Sequence, residues 1–238
     1  MKRADLLLLG AALGLTFALK RHAAHANADD LGWLLEPTAW LVTAASGHEF
    51  VFERGAGPFN RELALVLAPS CAGVNYAIVA FLALIAGFLP RLGSSRQKLS
   101  YALAAALVAY VATLCVNATR VLVSIELAKS AWLASAVSRE ALHRVEGVVV
   151  YLGSLLLLCL AVDRALFRRV LVSSRSLLAL PLGLYLAVTL LVPALNGALA
   201  GPRFASHAVA VTAFSVALWL CTGALLRHFC RQTAEQRS

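Results

Sequence analysis

Residues 70–89 read SCAGVNYAIVAFLALIAGFL, a small polar cluster with a thiol set directly before an apolar run from Val74 to Leu89. That run decides the fold class. It holds no charge and approaches the length needed to cross ~30 Å of hydrocarbon, where only a helix or closed barrel satisfies every backbone group. It also poses the chemical question of why Cys71 and Asn75 stand at the mouth of a membrane helix.

Outward from this stretch the same pattern recurs. Apolar blocks cover residues 6–19, 74–89, 99–116, 145–162, 177–195 and 205–226, separated by short polar segments that carry arginine. With 61% hydrophobic and 14% charged residues and a mean hydropathy of +0.79, the chain is more apolar than a soluble domain of 238 residues requires. The expectation is an all-α polytopic membrane helix bundle of about six transmembrane helices. Interfacial helices lie on its outer face, and residues 1–238 form a single integral membrane domain. The first block is short enough to resemble a signal peptide. It stops at Lys20 and Arg21 without a convincing small-residue cleavage site and reads as a retained helix, although HAAHA just beyond leaves cleavage open.

Basic residues orient the spans, since lysine and arginine are held on the cytoplasmic side of short loops. With the N-terminus inside, the inner segments hold Lys2, Arg3, Arg91, Arg96, Lys98, Arg164, Arg168, Arg169, Arg175, Arg227, Arg231 and Arg237, more than half of the 21 basic residues. The outer segments are longer and more sparsely charged. The net charge of +9 is then an orientation signal facing anionic headgroups, and it calls for no nucleic acid.

Two outer segments carry further structure. In DDLGWLLEPTAWLVTAASG, Trp33 and Trp40 suit a helix at the headgroup level, and HEFVFERGAGPFNRELALVLAPS alternates around a Gly/Pro turn as a hairpin or extended segment does. After the third span, Leu122, Ile125, Trp132, Leu133 and Ala136 fall on one face at helical spacing, opposite Ser124, Ser135 and Ser138. This predicts an amphipathic interfacial helix in which Lys129 snorkels from the apolar stripe.

On this topology three chemically distinct residues converge at one depth. Cys71 precedes the second span, Arg120 lies about one turn beyond the third, and His143 precedes the fourth. Ionisable groups near hydrocarbon are costly unless something uses or pairs them. The three types suit acyl transfer. A thiolate attacks a carbonyl carbon and is favoured at a helix N-terminus, a histidine moves the proton, and a guanidinium stabilises the tetrahedral oxyanion. The backbone amides of Ala72 and Gly73 can share the last task.

Each residue also has an ordinary reading. A cysteine packs readily in a membrane helix, Arg120 can snorkel, and His143 beside Arg144 can be an interface residue. Asn75 and Asn117 suit helix-terminal hydrogen bonding. Glu146, at i+3 from His143, can orient the imidazole, pair with Arg144 or face water. The remaining cysteines, Cys115, Cys159, Cys221 and Cys230, form no CxxC pair, and no histidine spacing argues for a metal. The His48–Glu49 pair lacks the second histidine of a zinc-protease helix, since Phe52 stands there. Ser154 is not in a Gly-x-Ser-Gly-like turn, and no two aspartates face each other mid-span.

The stretches SCAGVN (70–75), NATR (117–120) and HRVEG (143–147) resemble the three signature stretches of the exosortase/archaeosortase family, in the same order. SCAGVNY after LLEPTAWLV is most similar to the exosortase K branch. The resemblance covers roughly residues 33–160. Many members have Cys-Ser-Gly where this chain has Cys71, Ala72 and Gly73, so a serine hydroxyl is missing here. The resemblance implies a membrane cysteine endopeptidase/transpeptidase with Cys71 as nucleophile, Arg120 as transition-state stabiliser and His143 as general acid/base, needing no cofactor. Its implied partners are the C-terminal sorting tail of an exported protein and an envelope acceptor. The implied setting is the bacterial inner membrane, with the site facing the periplasm. A non-catalytic small transporter or assembly factor is the alternative, and the scarcity of mid-span charge weighs against a transporter.

Overall fold

The computed structural model describes residues 3–129, 139–167, 174–197, 199, 201 and 204–235. The protein is an all-α polytopic helix bundle with six helices long and apolar enough to cross a membrane: Arg3–His25, Pro69–Arg91, Ser95–Lys129, Leu142–Phe167, Leu178–Leu195 and Phe204–His228. Each corresponds to one of the expected apolar blocks. The chain divides into two compact units, residues 1–139 and 140–238.

In the first unit, α1 (Arg3–His25) and α4 (Ser95–Lys129) flank α3 (Val74–Phe88). Helix α3 is the core of the unit. Its residues Tyr76, Ile78, Val79, Ala80, Leu82, Leu84, Ile85 and Phe88 are all buried, so both its faces pack against protein. The Tyr101 hydroxyl of α4 donates to Leu84 O at 3.1 Å. Helix α1 contributes a narrow face of Asp5, Ala12 and Thr16 at helical spacing, and Asp5 forms a buried ion pair with Lys98 of α4. Lys98, counted from sequence among the orientation charges of the inner segments, is 1% exposed.

Helix α2 (Gly32–Ser46) packs along α4 through Leu34, Leu35, Thr38, Ala39 and Val42. It contains Pro37, which has no N–H to offer Trp33 O one turn back. The Tyr110 hydroxyl of α4 donates to that carbonyl at 2.9 Å, and the Trp33 and Tyr110 rings stack with centroids 5.8 Å apart. A bond that the helix forfeits is thus supplied by its neighbour.

The expected hairpin is a three-stranded antiparallel sheet of β1 (Val51–Glu53), β2 (Gly57–Asn60) and β3 (Leu65–Val66). Val51 pairs with Phe59, and Phe59 with Val66. Asn60 is 2% exposed and ties the entry to β1 to the β2–β3 connection, donating to Glu49 O at 2.6 Å and accepting from the Leu63 amide at 2.7 Å.

The third span departs from expectation. Its helix does not stop near Val116 but runs 35 residues to Lys129, about 52 Å against ~30 Å of hydrocarbon. Residues 117–129 contain neither glycine nor proline, so nothing in the chain breaks the helix where hydropathy falls. The segment expected as a separate amphipathic helix is, through Lys129, the continuation of α4, and its residues 130–138 lie outside those described. Lys129 has its ammonium exposed and paired with Glu126 at 2.6 Å.

The second unit contains α5 (Arg139–Phe167), α6 (Ser174–Leu186), which continues through a π-helical turn at Ala187–Leu191 into α7 (Val192–Leu195), and α8 (Phe204–Glu235). Helix α6 packs on α8, and Gly153 of α5 leaves room for Leu218 of α8. On α5 the buried residues Val148, Leu152, Leu155 and Cys159 repeat at helical spacing.

Candidate active site

The chain enters the site from β3. Pro69 opens a one-turn 3-10 helix, Pro69–Cys71, closed by the Cys71 amide donating to Ala68 O at 2.8 Å and the Ala72 amide donating to Pro69 O at 3.1 Å. Gly73 then turns the backbone into α3 at φ 77°. A side chain would be strained in that conformation, and a β-carbon would also lie 3.0 Å from Thr113 Cγ2 and 3.4 Å from Asn117 Cγ. Glycine here lets the cysteine turn press directly on α4.

Asn117 fastens that contact. Its side-chain Nδ2 donates to Cys71 O at 2.6 Å, and the residue is 1% exposed. Thr113, Asn117 and Arg120 fall on one face of α4 at i, i+4 and i+7. Arg120 is partly buried, with Nε shielded from solvent, one turn from the residue that holds the cysteine backbone. Cys71 itself is a free, partly buried thiol with Ser70 Oγ 4.0 Å from its sulfur.

Of the two amides expected at the oxyanion position, that of Ala72 is consumed by its bond to Pro69 O. The Gly73 amide is the one the turn leaves over. Asn75 was expected near the thiol as a helix-terminal group. It sits exposed in the first turn of α3, and its Oδ1 accepts from Lys20 Nζ of α1 at 2.5 Å. Lys20 had been read only as the end of the first apolar run, and no spacing links it to a residue 55 positions away.

His143 and Glu146 belong to the second unit, in the first two turns of α5. Glu146 Oε2 lies 3.9 Å from His143 Nδ1, with a carboxylate side chain 4% exposed and an imidazole 57% exposed. Glu146 is thus buried near the imidazole and does not face water. Among the described residues, no group of three or more His, Cys, Asp or Glu is placed to hold a metal ion.

Compared with protein-family models, curated proteins and solved structures, the chain shows no significant match to any of them.

Proposed function

We propose that the protein is a membrane-embedded cysteine endopeptidase/transpeptidase, similar to the exosortase/archaeosortase family, that cleaves C-terminal sorting tails of exported proteins. The observation that carries this reading is the Asn117–Cys71 bond, with Arg120 one turn along the same helix face. It fixes the backbone of a partly exposed thiol against the helix that carries Arg120.

In this reading the Cys71 sulfur attacks the scissile carbonyl of the tail as His143 accepts the thiol proton. The negative oxygen of the tetrahedral intermediate is stabilised by Arg120 and the Gly73 amide; loss of one such donor typically costs about 100- to 1,000-fold in rate. Collapse of the intermediate breaks the C–N bond, and His143 returns its proton to the departing amine, leaving a thioester on Cys71. A nucleophile from the envelope acceptor, or water, then releases the acyl group. Glu146 orients the His143 ring throughout. The chemistry uses protein groups alone and calls for no cofactor. The proposed setting is the bacterial inner membrane with Cys71 facing the periplasm, where a tail still anchored in the bilayer reaches it.

The test is a mass-spectrometric map of protein C-termini in cells carrying the natural chain, Cys71→Ala or Cys71→Ser. Precursors that end in a membrane helix and basic residues accumulate in both variants if the reading holds. Unchanged termini in Cys71→Ala cells overturn it and leave a non-catalytic role, as a small transporter or assembly factor.

A further inference from the structure

The Cys71 end of the first unit contains a cation that the acyl-transfer scheme does not use. Lys20 stands near the end of α1, partly buried, and its bond to Asn75 remains open to solvent. Its partner is a neutral amide oxygen, and among the described residues no carboxylate pairs with it. The contrast within the same helix is informative. Asp5, about 22 Å away along α1, is fully buried and matched by Lys98. One end of α1 is therefore closed by a complete ion pair, whereas the other presents an ammonium with its charge unspent.

That ammonium is also directed. The Asn75 bond holds it against the first turn of α3, four residues past Cys71, where the helix dipole adds positive potential. Ammonium carries three donors, and Asn75 takes one. The remaining donors, a charge that no carboxylate among the described residues neutralises and the solvent-reachable position are what an anionic oxygen group requires.

We infer that Lys20 is the anion-selecting residue of the Cys71 site, drawing in and orienting a carboxylate on the polypeptide tail that reacts there. The inference rests on the transpeptidase reading for the identity of the occupant. The electrostatic role of Lys20 at Cys71 stands on the geometry of α1 and α3 alone.

The test compares how fast the Cys71 thiol of the full-length, detergent-solubilised protein reacts with two reagents of the same chemistry and opposite charge. These are anionic sulfonatoethyl methanethiosulfonate and cationic trimethylammonioethyl methanethiosulfonate, with modification of the Cys71 peptide read by mass spectrometry. Taking a separation of about 10 Å in a water-like medium, one unit charge changes the anionic-to-cationic rate ratio by ~4-fold. Lys20→Gln lowers the ratio by about that factor, Lys20→Arg restores it and Lys20→Glu lowers it further. An unchanged ratio in Lys20→Gln, with Lys20→Arg and the natural chain equally well folded, overturns the proposal. So does a natural-chain ratio that falls to the Lys20→Gln value when phosphatidylglycerol is added, since a headgroup phosphate then occupies Lys20.

In cells, Lys20→Gln slows tail processing and Lys20→Arg restores it. Normal processing in Lys20→Gln cells, where Cys71→Ala blocks it, overturns the role in tail recognition while the transpeptidase reading survives. Normal processing in Cys71→Ala cells fails that reading instead, and the reagent ratio then still reports whether Lys20 acts on the thiol.

Discussion

Asn117 donates its side-chain amide to the backbone carbonyl of Cys71 at 2.6 Å, across 46 residues of sequence. The bond joins the Cys71 turn to the helix face that carries Arg120. It also explains why the turn before α3 tolerates no side chain at Gly73, since the two backbones must approach closely for an asparagine to span them. Geometry at the cysteine is set from α4, the helix that also carries Arg120, the group that meets the oxyanion in the proposed mechanism.

Replacing Asn117 by leucine removes that bond and leaves the Cys71 carbonyl without its amide donor. The expected cost is about 1–3 kcal/mol, the usual penalty for a buried polar group deprived of its partner. Thermal unfolding in detergent, followed by the change in stability against the natural chain, measures it. A loss below about 0.5 kcal/mol means the carbonyl finds another donor. In the same variant Cys71 is expected to react faster with neutral maleimide, because its turn is no longer pinned.

Gly73→Ala combines two penalties, the left-handed backbone at φ 77° and a β-carbon 3.0 Å from Thr113 Cγ2. Strain of this kind costs roughly 1–3 kcal/mol. Adding Thr113→Ser removes the methyl group but not the backbone strain, so it recovers part of the loss and no more. Full recovery would show that crowding alone mattered. No recovery would place the whole effect in the backbone.

The sequence made the spans legible because hydrocarbon imposes length and apolarity so strictly; Val74 to Leu89 could hardly be read otherwise. The end of α4 was not legible, since hydropathy marks where lipid stops, whereas a helix stops only where its backbone is interrupted. Nothing between Asn117 and Lys129 interrupts it. Cys71, Asn117 and Arg120 could be singled out as residue types that are costly near a membrane, but that Asn117 grips the Cys71 carbonyl is a tertiary fact. Lys20 and Asp5 were invisible for the same reason: each becomes informative only through a partner, Asn75 and Lys98, supplied by another helix.

Pro37 and Tyr110 yield a prediction that separates cause from coincidence. Tyr110→Phe leaves Trp33 O without the donor that Pro37 cannot supply, and should cost about 1–2 kcal/mol. In a Pro37→Ala background the helix can make its own bond to that carbonyl, so the same Tyr110→Phe change should cost much less. A double-mutant cycle by thermal or denaturant unfolding reads the coupling directly. Equal costs in both backgrounds would mean that the hydroxyl does not stand in for the missing amide.

The Asp5–Lys98 pair predicts an asymmetry between breaking and replacing. Both side chains are almost wholly buried, so Lys98→Met breaks a buried ion pair by removing one member, a change that typically costs about 3–5 kcal/mol. Asp5→Leu with Lys98→Met exchanges the pair for apolar groups, and such replacements are often neutral or stabilising. The double variant should therefore be more stable than the Lys98→Met single variant, and close to the natural chain. If both variants lose the same stability, Asp5 is not left uncompensated when Lys98 goes, and α1 is held in the unit by the buried face of Ala12 and Thr16 instead.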